Sequence, residues 1–251
     1  MKKSFLIAMF TFLALSSCKK EEKAKPISEK NDVIATTNPT ENEEVVKVDR
    51  ITKKNPKDFI PKGFVFFEEV YGDLNKDGLK DCILIIKGTD KDKFVVDESR
   101  GKLDRNRRGI IVLFKTKNND YELITENNTC FSSENEEGGA YYAPELMVYE
   151  EKGNLFVHYA HGRYGYWKYT FRLKDSDFQL IGYDSSDNTG PRVNNETSIN
   201  YLTMKRQDKT NMNNDAESGD EVFEEKWSTI KVQKPIMLSE IKDFDELDSS
   251  I

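Results

Sequence analysis

The sequence predicts a mainly β protein: an antiparallel sandwich, barrel or partial propeller-like sheet with one short C-terminal helix. Three observations lead there. Runs rich in β-branched and aromatic residues recur from Lys62 onward, bounded by Gly, Asn and Asp. Several of these runs alternate apolar with polar side chains, the period of a half-buried strand. No long apolar stretch at helical spacing precedes the last segment of the chain.

Taken in order, "GFVFFEEVYG" (Gly63 to Gly72) and "CILIIKG" (Cys82 to Gly88) are strand candidates closed by glycines. "RGIIVLFKT" (Arg108 to Thr116) and "DYELITEN" flank Asn118-Asn119-Asp120, which reads as a hairpin turn. "PELMVYEEKGNLFVHYAHG" gives two strands around Lys152-Gly153-Asn154, and "YWKYTFRLKDSDFQLIGYDSS" a hairpin turning at Lys174 to Asp177. "KWSTIKVQKP" reads as one more strand. "MLSEIKDFDEL" (Met237 to Leu247) is the helix candidate, with Ser239 as its cap. The polar, aromatic-poor stretch Arg206 to Glu225 is expected to be a mobile loop.

Of 251 residues, 37% are hydrophobic, low enough to imply that part of the chain joins no core. The balance of 38 basic against 45 acidic residues, net −7, argues against binding dominated by nucleic-acid phosphates.

Met1-Lys2-Lys3 followed by the apolar run Phe5 to Leu15 has the form of a signal peptide, residues 1–17. Eleven residues fall short of the ~20 that cross a bilayer. "LSSC", ending at Cys18, resembles a bacterial lipobox, which implies a lipidated Cys18 and a membrane anchor. Lys20-Glu21-Glu22 resembles the export signal of Bacteroidota lipoproteins, implying an outer-membrane location, periplasmic or surface-exposed. Residues 18–57 are charged and nearly free of aromatics, and so read as a disordered tether; residues 58–251 read as the folded domain.

"GDLNKDGLKD" opens the chemistry. Counting Asp73 as position 1 puts Asn75 at 3, Asp77 at 5, Gly78 at 6, Leu79 at 7 and Asp81 at 9. Oxygen ligands at odd positions converge on a hard cation, and glycine permits the sharp bend, so Asp73, Asn75, Asp77, the Leu79 carbonyl and Asp81 are candidate calcium ligands. Position 12 is Leu84 and strand follows, which rules out an EF-hand. Asn, Asp and Gly also build metal-free turns. Within β-structure, the pattern resembles the FG-GAP calcium loop of integrin-like β-propellers, here in one copy.

Cys82 and Cys130 are left either to bridge or to serve as small core residues. His158 and His161, three apart on a strand, fall on opposite faces, which suits packing rather than zinc. No nucleophile elbow, phosphate loop or zincin motif is present, so no catalytic activity is expected. Arg163, Tyr164, Tyr166 and Trp167 are of the residue types that anchor interfaces and form a candidate binding surface.

The region from about Phe59 to Lys205 resembles single-domain bacterial lipoproteins and periplasmic proteins with one FG-GAP-type loop, some similar to lysozyme inhibitors and immunity proteins. Where those relatives carry an "SGSRW"-like turn, this chain reads "HGRYGYWKY". The resemblance implies a calcium-binding envelope lipoprotein that acts as a non-catalytic binding or inhibitory module, its partner an envelope hydrolase or toxin. A surface glycan- or nutrient-binding lipoprotein is the alternative, with the aromatic block supplying stacking surfaces.

Overall fold

A computed structural model describes residues 50–136 and 143–247. All of them lie in the unit Val48–Ile251. The signal peptide, Cys18 and most of the tether fall outside the described residues.

The chain is mainly β and antiparallel, as its patterning predicts. Its strands are β1 (Thr52–Lys53), β2 (Phe64–Gly72), β3 (Asp81–Gly88), β4 (Phe94–Asp97), β5 (Gly101–Asp104), β6 (Arg108–Lys115) and β7 (Tyr121–Phe131). They continue with β8 (Glu145–Glu151), β9 (Asn154–Ala160), β10 (Gly165–Lys174), β11 (Asp177–Thr189), β12 (Arg192–Asn200), β13 (Lys205–Asn211) and β14 (Phe223–Thr229). A five-stranded sheet runs β1-β7-β6-β3-β2, and β8 to β14 form a seven-stranded meander. β4 and β5 make a separate ribbon.

The continuous apolar run of β3 has a simple cause: it is a central strand buried on both faces. Ile83 and Ile85 join Ile110 and Val112 of β6 in the core shared with the larger sheet, opposite Leu155, Val157, Phe171, Phe178 and Leu180. Cys82, Leu84 and Ile86 point the other way, into a smaller cluster capped by Phe59 and Tyr121. Cys130 belongs to the first cluster, so the two cysteines face opposite sides of the sheet and remain free thiols. The predicted hairpins form where left-handed backbone is available: Asn119, Lys152, Gly153 and Asp175 all have positive φ. The edge strands of the two sheets meet at Gly72, where a Cβ would stand 2.4 Å from Glu150 Cβ of β8.

Three expectations need correction. The expected mobile loop at 206–225 begins as strand β13, and only Met212 to Val222 connects it to β14. Hydrophobicity does not mark β13 because polar cross-strand pairs set its register: Thr197 Oγ1 donates to Asp208 at 2.9 Å, Gln207 Nε2 to Glu225 at 2.9 Å, and Lys209 lies 3.3 Å from Glu196.

The C-terminal helix is a single 3-10 turn, Leu238–Glu240. Ser239 does not cap it; its Oγ donates to Asp177 Oδ2 at 2.6 Å. Asn127 Nδ2 donates to the carbonyls of Leu238 (2.8 Å) and Ile241 (2.6 Å), pinning an irregular segment whose Leu238, Ile241 and Phe244 sit in the core.

The folded part also starts before residue 58. Thr52 and Lys53 pair with Glu122 and Tyr121, Asn55 caps a 3-10 turn over Pro56–Phe59, and Phe59 is buried.

Candidate functional sites: an acidic loop and an aromatic cavity

The acidic loop joins β2 to β3, and Leu74, 2% exposed, anchors it in the main core. Gly72 and Asp81 are paired across its neck. Inside, the acids accept backbone N–H groups. Asp73 Oδ1 accepts from Asp77 N and Oδ2 from Gly78 N, each at 3.0 Å. Asn75 Oδ1 also accepts from Asp77 N at 3.0 Å, and Asp77 Oδ1 accepts from Leu79 N at 2.8 Å. Lys76 (φ 62) and Gly78 (φ 84) supply the left-handed backbone of the bend.

Asp81 is fully buried. Its carboxyl is pushed up to about 6, first by burial, against the pull of the N–H groups it accepts; Asp77's charge adds to the rise.

The sequence-nominated set is therefore one local structure, but its oxygens serve the backbone. Among the described residues, no group of three or more His, Cys, Asp or Glu side chains is arranged to hold a metal. The donor chemistry still suits a hard cation, because a carboxylate oxygen that accepts one N–H keeps further lone pairs. One atom does not suit it: Asn75 Nδ2 donates to Asp77 Oδ2 at 3.0 Å, which sets a hydrogen-bond donor against one of the acid oxygens a cation would use.

The aromatic block divides differently from its sequence reading. Gly165, Trp167, Tyr169 and Phe171 of β10 share the inner face, because side chains alternate along a strand. Tyr166 is on the other face, edge-on to His158 at 5.3 Å and beside Asp184 and Glu196. Arg163 is exposed on the 3-10 turn Gly162–Tyr164, and the Tyr164 ring tilts against His161 at 5.2 Å. The four do not form one surface.

Of these, Trp167 enters a cavity of about 460 Å³ between the inner face of the meander and the C-terminal segment. Its ring stacks on Tyr159 of β9 (5.3 Å, 16° between planes), its partner in the ladder. Tyr169 is 5.2 Å from both Tyr183 and Phe244, and its hydroxyl donates to the Phe244 carbonyl at 3.3 Å. Tyr159 is as deeply placed, 2% exposed, but its Oη has no partner. Burial pushes that phenol far above its ordinary pKa.

Ser132, Ser133, Glu136 and Asp245 supply the polar part of the lining. Ser133 Oγ donates to Glu136 Oε1 at 2.8 Å. Asp245 meets solvent, yet crowding by protein pushes its carboxyl upward, with Asp243's charge adding and a hydrogen bond from Ser132 opposing. Sequence reasoning missed Tyr159, Tyr169 and Tyr183. The signal for Tyr159 and Tyr169 was alternation in "NLFVHYA" and "YWKYTF", which places the odd-numbered aromatics together on the covered face; Tyr183 joins them as the ladder partner of Tyr169.

Comparison of the chain with protein-family models, curated proteins and solved structures returns no match.

Proposed function

We propose that this chain is a non-catalytic binding module of the cell envelope, anchored through a lipidated Cys18 and engaging its partner at the aromatic cavity. The observation that carries this reading is the cavity itself. A domain that buries Tyr159 Oη without a partner leaves a polar group whose desolvation nothing inside the fold offsets, beside a half-exposed Trp167. Pockets with apolar aromatic walls and a few convergent polar groups are the usual form of a ligand site.

In the same reading, the acidic loop is a calcium-dependent brace. It closes the β2–β3 hairpin and reaches β6 through Asp81, so a cation there rigidifies the scaffold without touching the cavity. The proposed partner is a protein, an envelope hydrolase such as a lysozyme or a toxin of that kind. A surface glycan is the alternative, favoured by the partly exposed Trp167 ring, backed by Tyr159, on which a sugar ring can lie.

Inhibition of lysozyme on a peptidoglycan suspension tests the first reading, with the Trp167→Ala chain beside the wild type. Slower hydrolysis that Trp167→Ala abolishes supports it. No inhibition, together with saturable binding of soluble peptidoglycan fragments that Trp167→Ala abolishes, favours the glycan. Neither effect, or effects indifferent to Trp167, overturns the assignment of the cavity.

A further inference from the structure

The geometry points to an organic cation, an ammonium or guanidinium group, as the ligand of the aromatic cavity. The inference rests on the reading of this cavity as the binding site and names what it takes. Five aromatic side chains line it (Tyr159, Trp167, Tyr169, Tyr183 and Phe244), with two carboxylic acids, Glu136 and Asp245, and not one basic residue among the described lining. Aromatic faces present negative quadrupole to a ligand, and a cation over such a face is attracted most strongly where water is excluded. The two carboxylates set the same sign, so an anionic ligand meets repulsion from walls and rim together.

One buried cation, Arg108, acts electrostatically on Tyr159 but is not among the cavity's lining: its Nε donates to the Ser132 carbonyl at 2.9 Å, and Glu134, Asp245 and Glu68 also act on its charge, so three carboxylates offset it. Arg107 is paired with Asp243 at 2.8 Å.

The unpartnered Tyr159 Oη is the second, independent observation. The residue belongs to the lining and its Oη is buried behind the ring without a partner, while the hydroxyl of Tyr169 donates to the Phe244 carbonyl. A phenol oxygen accepts an N–H, and an ammonium or guanidinium that displaces the packing over Oη supplies one. The cavity volume, about 460 Å³, takes a side-chain-sized group with room to spare. The cation has two sources, a small quaternary ammonium compound or a Lys or Arg side chain of a protein partner, and Tyr159 discriminates between them because a quaternary ammonium has no N–H to give.

The chain has two tryptophans, and Trp227 is 62% exposed on β14, so a Trp227→Phe chain reports Trp167 alone. Its emission is followed on titration with tetramethylammonium, with doubly blocked lysine, with neopentyl alcohol as an uncharged isostere, and with chitotriose as a neutral glycan. Expected is saturable binding of at least one cation, about tenfold or more tighter than neopentyl alcohol. Glu136→Gln and Asp245→Asn each weaken it several-fold. Tyr159→Phe weakens blocked lysine about three- to tenfold and leaves tetramethylammonium unchanged, the size of one hydrogen bond. Retained thermal midpoints confirm that these variants fold.

Equal response to neopentyl alcohol overturns the inference. So does saturation by chitotriose without response to either cation, but then the cavity remains a binding site and only the ligand class falls. If no probe of any class moves Trp167, the inference and the binding reading fall together.

Discussion

Asp81 Oδ1 accepts the backbone N–H of Lys115 at 2.9 Å while its Oδ2 accepts that of Leu74 at 2.9 Å, so one buried carboxylate ties the acidic loop to the end of the neighbouring strand β6. Two charge-assisted hydrogen bonds favour the ionised form, yet burial outweighs them and the carboxyl is pushed up to about 6.

That displacement has a sign in stability. A carboxyl raised in the fold above its unfolded value of about 3.9 binds more protons native than unfolded between about pH 4 and 6. Its contribution therefore falls as pH rises through that window, by about 1–3 kcal/mol in the absence of a metal. Asp97 and Asp208, whose carboxyls are held below the usual range, act oppositely: what they contribute is lost as pH falls. The readout is consequently the difference in thermal midpoint, in chelator, between wild type and Asp81→Asn. The variant is destabilised throughout, because an amide oxygen accepts only one of the two N–H groups and turns its NH2 toward the other. The deficit is expected to shrink toward pH 7, where the wild type carries the cost of a buried charge. A deficit constant from pH 4 to 7 contradicts the raised value.

Tyr159→Phe is expected to raise the thermal midpoint while weakening the binding of cations that carry an N–H. The hydroxyl is buried and unpartnered, so removing one oxygen relieves a desolvation cost of about 1–3 kcal/mol and leaves the ring stack on Trp167 intact. For a domain of this size, that is a rise of a few degrees. A drop of comparable size in calorimetry means that the hydroxyl is satisfied in solution and is not a site awaiting a ligand.

Truncation locates the working boundary of the fold. Deleting the chain through Asp49 removes none of the described strands, and the midpoint is expected to stay within a degree or two. Deleting through Phe59 removes β1, the Asn55-capped turn and the buried Phe59 over the second cluster. Loss of that ring alone costs about 3–5 kcal/mol. Equal midpoints for the two truncations refute this.

How much of this was readable from residues differs by region. β3 and the turns at Asn119 and Gly153 were plain, since apolar runs and residues tolerant of positive φ carry their own signal. β13 was not, because pairs such as Thr197–Asp208 act across strands that sequence order does not reveal. The segment Leu238 to Phe244 looks helical by spacing, but Asn127, far away in sequence, captures its carbonyls. The acidic loop was legible as a unit because its bonds are local. The cavity was half legible: alternation marks Trp167 and Tyr169 as neighbours on one face, but only tertiary packing brings Phe244 and Asp245 to them.

The calcium reading of the loop makes the sharpest prediction. Added calcium is expected to raise the thermal midpoint and chelation to lower it; at free calcium ~100-fold above Kd the gain is about 2.7 kcal/mol. Asp73→Ala and Asp77→Ala are expected to abolish the calcium increment, and Asp245→Ala, outside the loop, to leave it intact. Their baselines do not discriminate, because Asp73 and Asp77 also accept backbone N–H groups, so either loss destabilises a metal-free turn as well. Asn75→Asp does discriminate, by sign. In a metal-free turn it replaces the bond from Asn75 Nδ2 to Asp77 Oδ2 by carboxylate repulsion, and the midpoint falls whether or not calcium is present. As a calcium ligand it removes the one nitrogen turned toward Asp77 and adds a charge to a hard-cation site. The calcium increment then exceeds that of the wild type. Bound calcium also holds Asp81 ionised, so the pH dependence of the difference between wild type and Asp81→Asn between pH 4 and 6 is expected to flatten when the metal is added. A wild-type midpoint indifferent to calcium, with Asn75→Asp lowered equally in calcium and in chelator, leaves the loop a hydrogen-bonded turn and removes the cation from the proposal.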